Sequence, residues 1–362
     1  MSEPVRVGIV GTSWWADMMY LPSLQSHPRA ETVAICGRNR ERGEEMAQKY
    51  AIPHVFTDYR ELIEKGGVQA LVVATPDDLH YPVTMAALDA GLHVLGEKPM
   101  ALNAGHAREM CERAETVGVK HMIHFTSRWI PEYRYLKRLV DEGYLGRCFH
   151  GQFHHLAGYG LGGNYQWKWD PRRGLGILGD LGTHRIDLAR WYCGEIASVS
   201  ASLAAFVERP DSDGGIADSA NDSALLTLQF VSGAQGSIQV SAVAHMADRL
   251  MEQRVTLHGE EGTLELVLYL GGGGELRGAR SDAEQLEVLP IPDDFLVGVD
   301  PCSPPLEQWT QVFTRQAAGS RAFIDAILED RPAAPDFRDG LKAQEVIDAA
   351  IEADRRGCWG KI

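Results

Sequence analysis

"VRVGIVGTSWWADMM", Val5 to Met19, is the stretch that decides the fold. A branched apolar run, Val5 to Val10, meets a glycine and then a segment with helical spacing, the outline of a strand turning into a helix through a phosphate loop. Against the pattern G-x-G-x-x-G/A the loop aligns as Gly11, Thr12, Ser13, Trp14, Trp15, Ala16. Gly11 suits the tight turn and Ala16 the close packing of helix on strand. Ser13 replaces the middle glycine, and its small side chain keeps a hydroxyl to donate to a phosphate oxygen. The amides of Trp14 and Trp15 open the helix toward a pyrophosphate; one indole is expected to pack beneath the helix and the other to border the dinucleotide.

The same grammar continues outward. Short strands "ETVAIC", "HVF", "ALVVAT", "HVLGEK" and "KHMIHF" alternate with helical patterns such as "RERGEEMAQKY" and "GHAREMCERAETVG", which predicts a doubly wound parallel sheet ending near Phe125. After a helix at "PEYRYLKRLVDEG" the order changes to consecutive strands, from "RCFHGQFHHL" through "TLELVL", interrupted by one helix around "GDLGTHRIDLARWY". Two helices, "QWTQVFTRQAAGSRAFIDAILED" and "GLKAQEVIDAAIEADRRG", are expected to close the chain. The fold class is therefore α/β plus α+β: a Rossmann domain over 1–125, then an α+β domain with a large, mainly antiparallel open sheet over 126–362, the closing helices free to pack back on the first domain. The polar stretch "ERPDSDGGIADSAND" is expected to be a solvated connection rather than a lid, and the four glycines 271–274 a hairpin turn.

At 362 residues the chain has room for two cores, and 44% hydrophobic with 23% charged residues is the composition of a folded globular protein. A formal charge of −15 argues against nucleic acid and against an anionic membrane surface. Neither a secretory leader nor a membrane span is read from the sequence, so a cytoplasmic protein is expected. The six scattered cysteines have no C-x-x-C pair and are expected to be reduced structural thiols.

The end of the second strand selects the dinucleotide, because an acidic residue there binds the ribose hydroxyl of NAD whereas arginine accommodates the 2′-phosphate of NADP. In "AICGRNRER" that place is Gly37, followed by Arg38, Arg40 and Arg42. NADP is expected over NAD, with Arg38 as the phosphate ligand and Arg40 and Arg42 as a solvated helix start paired with Glu44 and Glu45.

Farther along, "VVATPDDLH" and "GLHVLGEKPM" set Thr75, Pro76 and His80 beside Glu97, Lys98 and Pro99, and "GILGDLGTHRIDLARW" spaces Asp180, Gly182, His184 and Asp187 as D-x-G-x-H-x-x-D. On these three motifs the chain resembles the Gfo/Idh/MocA oxidoreductases, along essentially its whole length; it departs from them at Ser13, at Gly37 and in "RGLGILGD". The resemblance implies a catalytic lysine at Lys98, a nicotinamide contact around Thr75, Pro76, His80 and Glu97, and an open second sheet that often joins two or four copies. It also leaves two alternatives: a relative that cleaves glycosides through transient oxidation by NAD, and a non-enzymatic dinucleotide-binding regulator.

Moving hydride between nicotinamide and a secondary hydroxyl or carbonyl needs an acid/base group and a donor for the developing oxyanion. His184 is the expected acid/base, with Asp180, four residues earlier on the same helical face, binding a substrate hydroxyl and tuning the ring; Asp187 holds local structure and Lys98 polarises the reacting oxygen. "NYQWKWDPRRG" offers an aromatic wall for a sugar or cyclic polyol in Tyr165, Trp167 and Trp169, with Lys168 or Arg172 on hydroxyls; Arg128 and Tyr133 are further substrate candidates. His150 and His154 share a strand face but lack further ligands, and no metal is expected.

Overall fold

The computed structural model describes residues 3–210, 215, 218–270 and 273–362. Residues 211–214 and 216–217 of the polar stretch and the first two residues of the glycine run, 271–272, lie outside the described residues. The chain divides into two compact units, one running to Phe125 and joined by Trp309–Leu341, the other Thr126–Gln308 with Lys342–Ile362.

The first unit is built on six parallel strands, β1 (Val5–Val10), β2 (Ala30–Cys36), β3 (His54–Phe56), β4 (Ala70–Val73), β5 (His93–Gly96) and β6 (His121–Ile123), in the order β3-β2-β1-β4-β5-β6. That is the doubly wound order whose switch point lies between the first and fourth strands. The helix Arg40–Tyr50 packs on β2 and β3, and Ala104–Val117 packs on the helix that precedes β5; β4 is buried at every position, as a strand covered on both faces must be. Asn39 and Asn103 cap these two helices, each side-chain oxygen accepting a backbone N–H of the first turn. The helix after β1 contains a π turn, Ala16–Tyr20, in which residues five apart stack on one side.

The second unit carries nine strands: β7 (Cys148–Ala157), β8 (Ile196–Ala204), β9 (Ser223–Phe230), β10 (Gln235–Ser241), β11 (Met251–Gly259), β12 (Gly262–Leu270), β13 (Gly274–Arg280), β14 (Glu287–Val288) and β15 (Gly360–Lys361). Their order is β14-β13-β12-β11-β7-β10-β9-β8-β15. All pairs are antiparallel except β7 with β10, which run parallel because the chain crosses over through the helix Thr183–Cys193 between them. Strand β9 alternates strictly, with Ala224, Leu226, Leu228 and Phe230 buried and Leu225, Thr227 and Gln229 exposed. One face of this sheet therefore packs a core and the other is open in the chain.

Two expectations change. The helix expected over 308–330 is two helices, Pro305–Arg315 and Ser320–Leu328, parted at Gly319 with φ +54°. A Cβ there would lie 2.7 Å from His124 Nε2, so the break lets a buried histidine ring approach the main chain. The helix of the third motif starts as a π turn, Leu178–Gly182, before becoming α-helical at Thr183.

Candidate active site

At the carboxyl edge of the first sheet Gly11 has φ +134°, and a Cβ on it would stand 2.2 Å from the carbonyl oxygen of Ala74 at the end of the neighbouring strand. Only glycine fits, and the loop turns tightly across the switch point. Ser13 is exposed, and its Oγ accepts the Ala16 N–H at 3.3 Å, which leaves the hydroxyl proton to donate outward. Two residues past the end of β4 the Thr75 hydroxyl is buried with no hydrogen-bond partner among the described residues. A glycine-walled cradle and a buried, unanswered hydroxyl at a switch point fit a dinucleotide.

Gly37 has a different explanation from cofactor choice alone. A Cβ at this position would lie 2.4 Å from Thr12 Cγ2 and 2.5 Å from Thr12 Oγ1, so Thr12 occupies the space in which an Asp or Glu would begin. Arg38 is exposed and has no hydrogen bond or ion pair among the described residues. Arg40 and Arg42 pair with Glu44 at 3.7 Å and Glu45 at 3.1 Å, and Arg42 also reaches Asp17 at 3.1 Å.

Glu97 is the junction of this edge. Its Oε1 accepts the Trp15 indole N–H at 2.5 Å and the Tyr20 hydroxyl at 2.6 Å, and its Oε2 accepts the main-chain N–H of Lys98 at 3.1 Å. Trp15 and Tyr20 are five residues apart and reach one oxygen because the π turn brings them to the same side. The Nδ1 of fully buried His124 lies 3.7 Å from the same oxygen. Burial alone would raise the Glu97 pKa, but the His124 ring, Lys98 and the Tyr20 hydroxyl outweigh it and hold the group at about 2. The two tryptophans differ in surroundings: Trp15 packs on Trp309 with ring centroids 5.8 Å apart, whereas Trp14 is 66% exposed.

His80, expected among the cofactor contacts, is buried, with Nδ1 2.7 Å from the Pro99 carbonyl and Nε2 2.9 Å from the Thr75 carbonyl. Both ring edges face main chain, so it ties the Thr75 turn to the segment after Lys98 instead of presenting a face to a ligand. Lys98 itself is half-buried, two residues beyond the end of β5.

In the second unit Asp180 lies within the π turn, a fifth exposed. Its Oδ2 accepts the Tyr159 hydroxyl at 2.7 Å and the Lys168 ammonium at 2.5 Å. His184 is buried in the first turn of the following helix. Asp187 receives both arms of Arg128, at 2.9 and 2.6 Å, and the guanidinium lies over the Trp191 ring at 5.5 Å. Arg128, expected on substrate, is thus committed to a carboxylate that matches its fork. Tyr133 is likewise displaced from the expected role: 1% exposed, it donates to Gln253 Oε1 at 2.7 Å and accepts from buried Arg185 at 2.9 Å. Of the aromatic wall, Tyr165 and Trp167 are half-buried, while Trp169 is buried between the Tyr159 ring and the Arg209 guanidinium. Arg172 is docked on Asp170 at 2.9 and 2.8 Å, leaving Lys168 of the two candidates for hydroxyls. Tyr20, His124 and Tyr159 carry no motif in the sequence and emerge only from the geometry. Among the described residues no three His, Cys, Asp or Glu side chains group as a metal ion would need.

The folded-state pKa of Glu97 lies below the carboxylate value of 4.5, so its stabilising effect is complete above that pH and is lost as pH falls toward 2. The melting temperature of Glu97→Gln is expected to fall well below wild type at pH 7 and the gap to narrow by pH 3. A gap of constant size across this range, followed by circular dichroism, would contradict the assignment.

Two family models match the chain: the oxidoreductase family with NAD-binding Rossmann fold over residues 5–125, and the GFO/IDH/MocA C-terminal domain over residues 133–265. Levoglucosan dehydrogenase of Pseudarthrobacter phenanthrenivorans is 26% identical over 90% of this chain and 88% of its own length. D-glucoside 3-dehydrogenase of Escherichia coli is 27% identical over 76% of this chain and 81% of its own. A solved levoglucosan dehydrogenase in complex with NADH and levoglucosan superposes with a TM-score of 0.88 at 25% identity, covering 99% of this chain and 100% of that one. With a Rossmann sheet in its first unit and a mostly antiparallel mixed sheet in its second, the chain belongs to the Gfo/Idh/MocA family of oxidoreductases.

Proposed function

We propose that this chain oxidises a secondary hydroxyl of a sugar or cyclic polyol, or reduces the matching carbonyl, with a nicotinamide dinucleotide as partner. The observation that carries the reading is the convergence of Gly11, the unanswered Thr75 hydroxyl and the Glu97–Lys98 junction at one sheet edge. The sugar dehydrogenases among its relatives support the substrate class. When bound, the dinucleotide supplies the two-electron acceptor. His184 takes the hydroxyl proton, Lys98 donates a hydrogen bond to the oxygen as its charge grows, and Asp180 aligns the substrate. Glu97 keeps Lys98 in place through its main-chain N–H.

Lys98→Ala and His184→Ala are each expected to lower kcat by roughly 10²- to 10⁴-fold while dinucleotide affinity stays within a few-fold. Near-normal turnover in either variant on the true substrate, or sugar release without reduced cofactor, would overturn the reading.

Arg38, exposed and unengaged, and Gly37, with Thr12 against it, support NADP over NAD for this chain. Fluorescence titration is expected to give tighter binding of NADPH than of NADH, and Arg38→Ala to erase the difference. Tighter NADH binding by the wild type would reverse the preference.

The open face of the second sheet exposes Phe149 and half of Leu225, apolar surface that supports association of two or four copies. Sedimentation equilibrium is expected to give a dimer or tetramer, and Leu225→Glu to shift it toward monomer. A monomeric wild type at micromolar concentration would remove the proposal. No helix among the described residues is long and apolar enough to cross a membrane.

A further inference from the structure

We propose that Cys148 and Cys193 form a peroxide-reactive thiol pair: a hydroperoxide oxidises Cys148, and Cys193 resolves the product as an intramolecular disulfide. The pair lies wholly within the second unit, and the inference is independent of the substrate.

The Sγ atoms of Cys148 and Cys193, 45 positions apart in sequence, lie 3.8 Å from each other. Cys148 opens β7, and Cys193 ends the helix Thr183–Cys193 that packs on that strand. Gly151, on the buried face of β7, is what lets the helix end come so near. A Cβ there would stand 3.1 Å from Cys193 Sγ. Both cysteines sit at irregular ends of their elements: the pairing of β11 with β7 shifts between His258 and Gly259, opposite Cys148, and Gly194, next after Cys193, has φ +89°. A disulfide needs the sulfurs to close by about 1.8 Å, a movement that side-chain rotation at two such ends can supply.

A reactive thiol must also be reached and ionised. Cys193 is 8% exposed, whereas Cys148 is half-buried and lines a surface cavity of about 340 Å³ with Arg147, Phe149, His150 and Gly233. That is room for a small hydroperoxide where one water takes about 30 Å³. The Cys193 S–H donates to the Cys148 sulfur, which lowers the Cys148 pKa against the effect of burial; the same bond, with burial, raises that of Cys193. Burial instead pushes Cys36 and Cys111 up to about 12, so both remain thiols. In the first step the Cys148 thiolate attacks one peroxide oxygen and the O–O bond breaks. The departing oxygen takes a proton from solvent and leaves as water, or as the alcohol of an alkyl hydroperoxide, and Cys148 becomes a sulfenic acid. The Cys193 sulfur then displaces the hydroxyl, which leaves as water with the Cys193 proton. In total the pair loses two electrons and the peroxide gains them. The cross-link ties the end of the helix that carries His184 to β7.

The test exposes the reduced full-length protein to a few equivalents of hydrogen peroxide, followed by alkylation, digestion and mass spectrometry. The expected product is a peptide pair joined through Cys148 and Cys193, about 2 Da lighter than the reduced pair and reversed by dithiothreitol. It is expected to form at least about tenfold faster than any oxidation of the exposed Cys302 and Cys358. Cys193→Ser is expected to stop at a Cys148 sulfenic acid that dimedone traps, and Cys148→Ser to leave Cys193 reduced. A Cys148 that stays reduced while Cys302 and Cys358 oxidise overturns the proposal. So does a Cys148 sulfinic acid with no joined peptide, or linkage through Cys302 or Cys358 alone. The wild-type peptide map decides even where a variant at buried Cys193 fails to fold.

Discussion

The Glu97 carboxylate is the constraint on which the first unit's functional edge depends. Three stretches of chain meet at it: the helix after β1 through Trp15 and Tyr20, the end of β5 through the Lys98 N–H, and the residue after β6 through His124. A buried carboxylate is expensive unless its lone pairs are satisfied, and here hydrogen bonds answer both oxygens. The phosphate loop and the candidate catalytic lysine are thereby fixed with respect to one another by a single side chain. His80 adds a second tie, between the Thr75 turn and the Pro99 carbonyl. Burial and the Glu97 charge both push the Tyr20 hydroxyl to a raised pKa, so it remains a donor to the carboxylate.

The second unit solves a comparable problem differently. Asp180 is fixed by a lysine and a tyrosine, and these are fixed by a stack of aromatic and guanidinium planes that ends in the Arg209–Asp222 pair. Truncating either member of that pair would leave a buried charge without its partner, the kind of change that destabilises strongly. Both functional segments contain a π turn, Ala16–Tyr20 and Leu178–Gly182. Such turns aim side chains in directions that an α-helix does not offer.

Much of the architecture is legible in the sequence because it rests on periodicity. Alternating strand and helix patterns predict the parallel sheet, and the change to consecutive strands predicts the open one. What escapes is governed by contacts between distant residues. The parallel pairing of β7 with β10 depends on the crossover, and the break at Gly319 depends on a histidine nearly two hundred positions away. Trp15 and Tyr20 would point apart on an α-helix, so their shared grip on Glu97 has no counterpart in a helical pattern. Arg128 and Tyr133 read as ligands because polar residues near a domain junction attract that reading; Asp187, Gln253 and Arg185 claim them instead. Tyr159 sits in an unremarked loop, and only folding brings its hydroxyl to Asp180.

The contact between Thr12 and the empty side of Gly37 has an evolutionary consequence. A side chain at 37 and the present Thr12 claim the same volume, so position 37 cannot gain a Cβ while Thr12 keeps its place. A carboxylate at 37 therefore needs a smaller residue at 12 first, whereas Thr12 can shrink with Gly37 still in place. Substitutions at the two positions are thus ordered by volume, 12 before 37, and a variant made in the opposite order meets the clash directly.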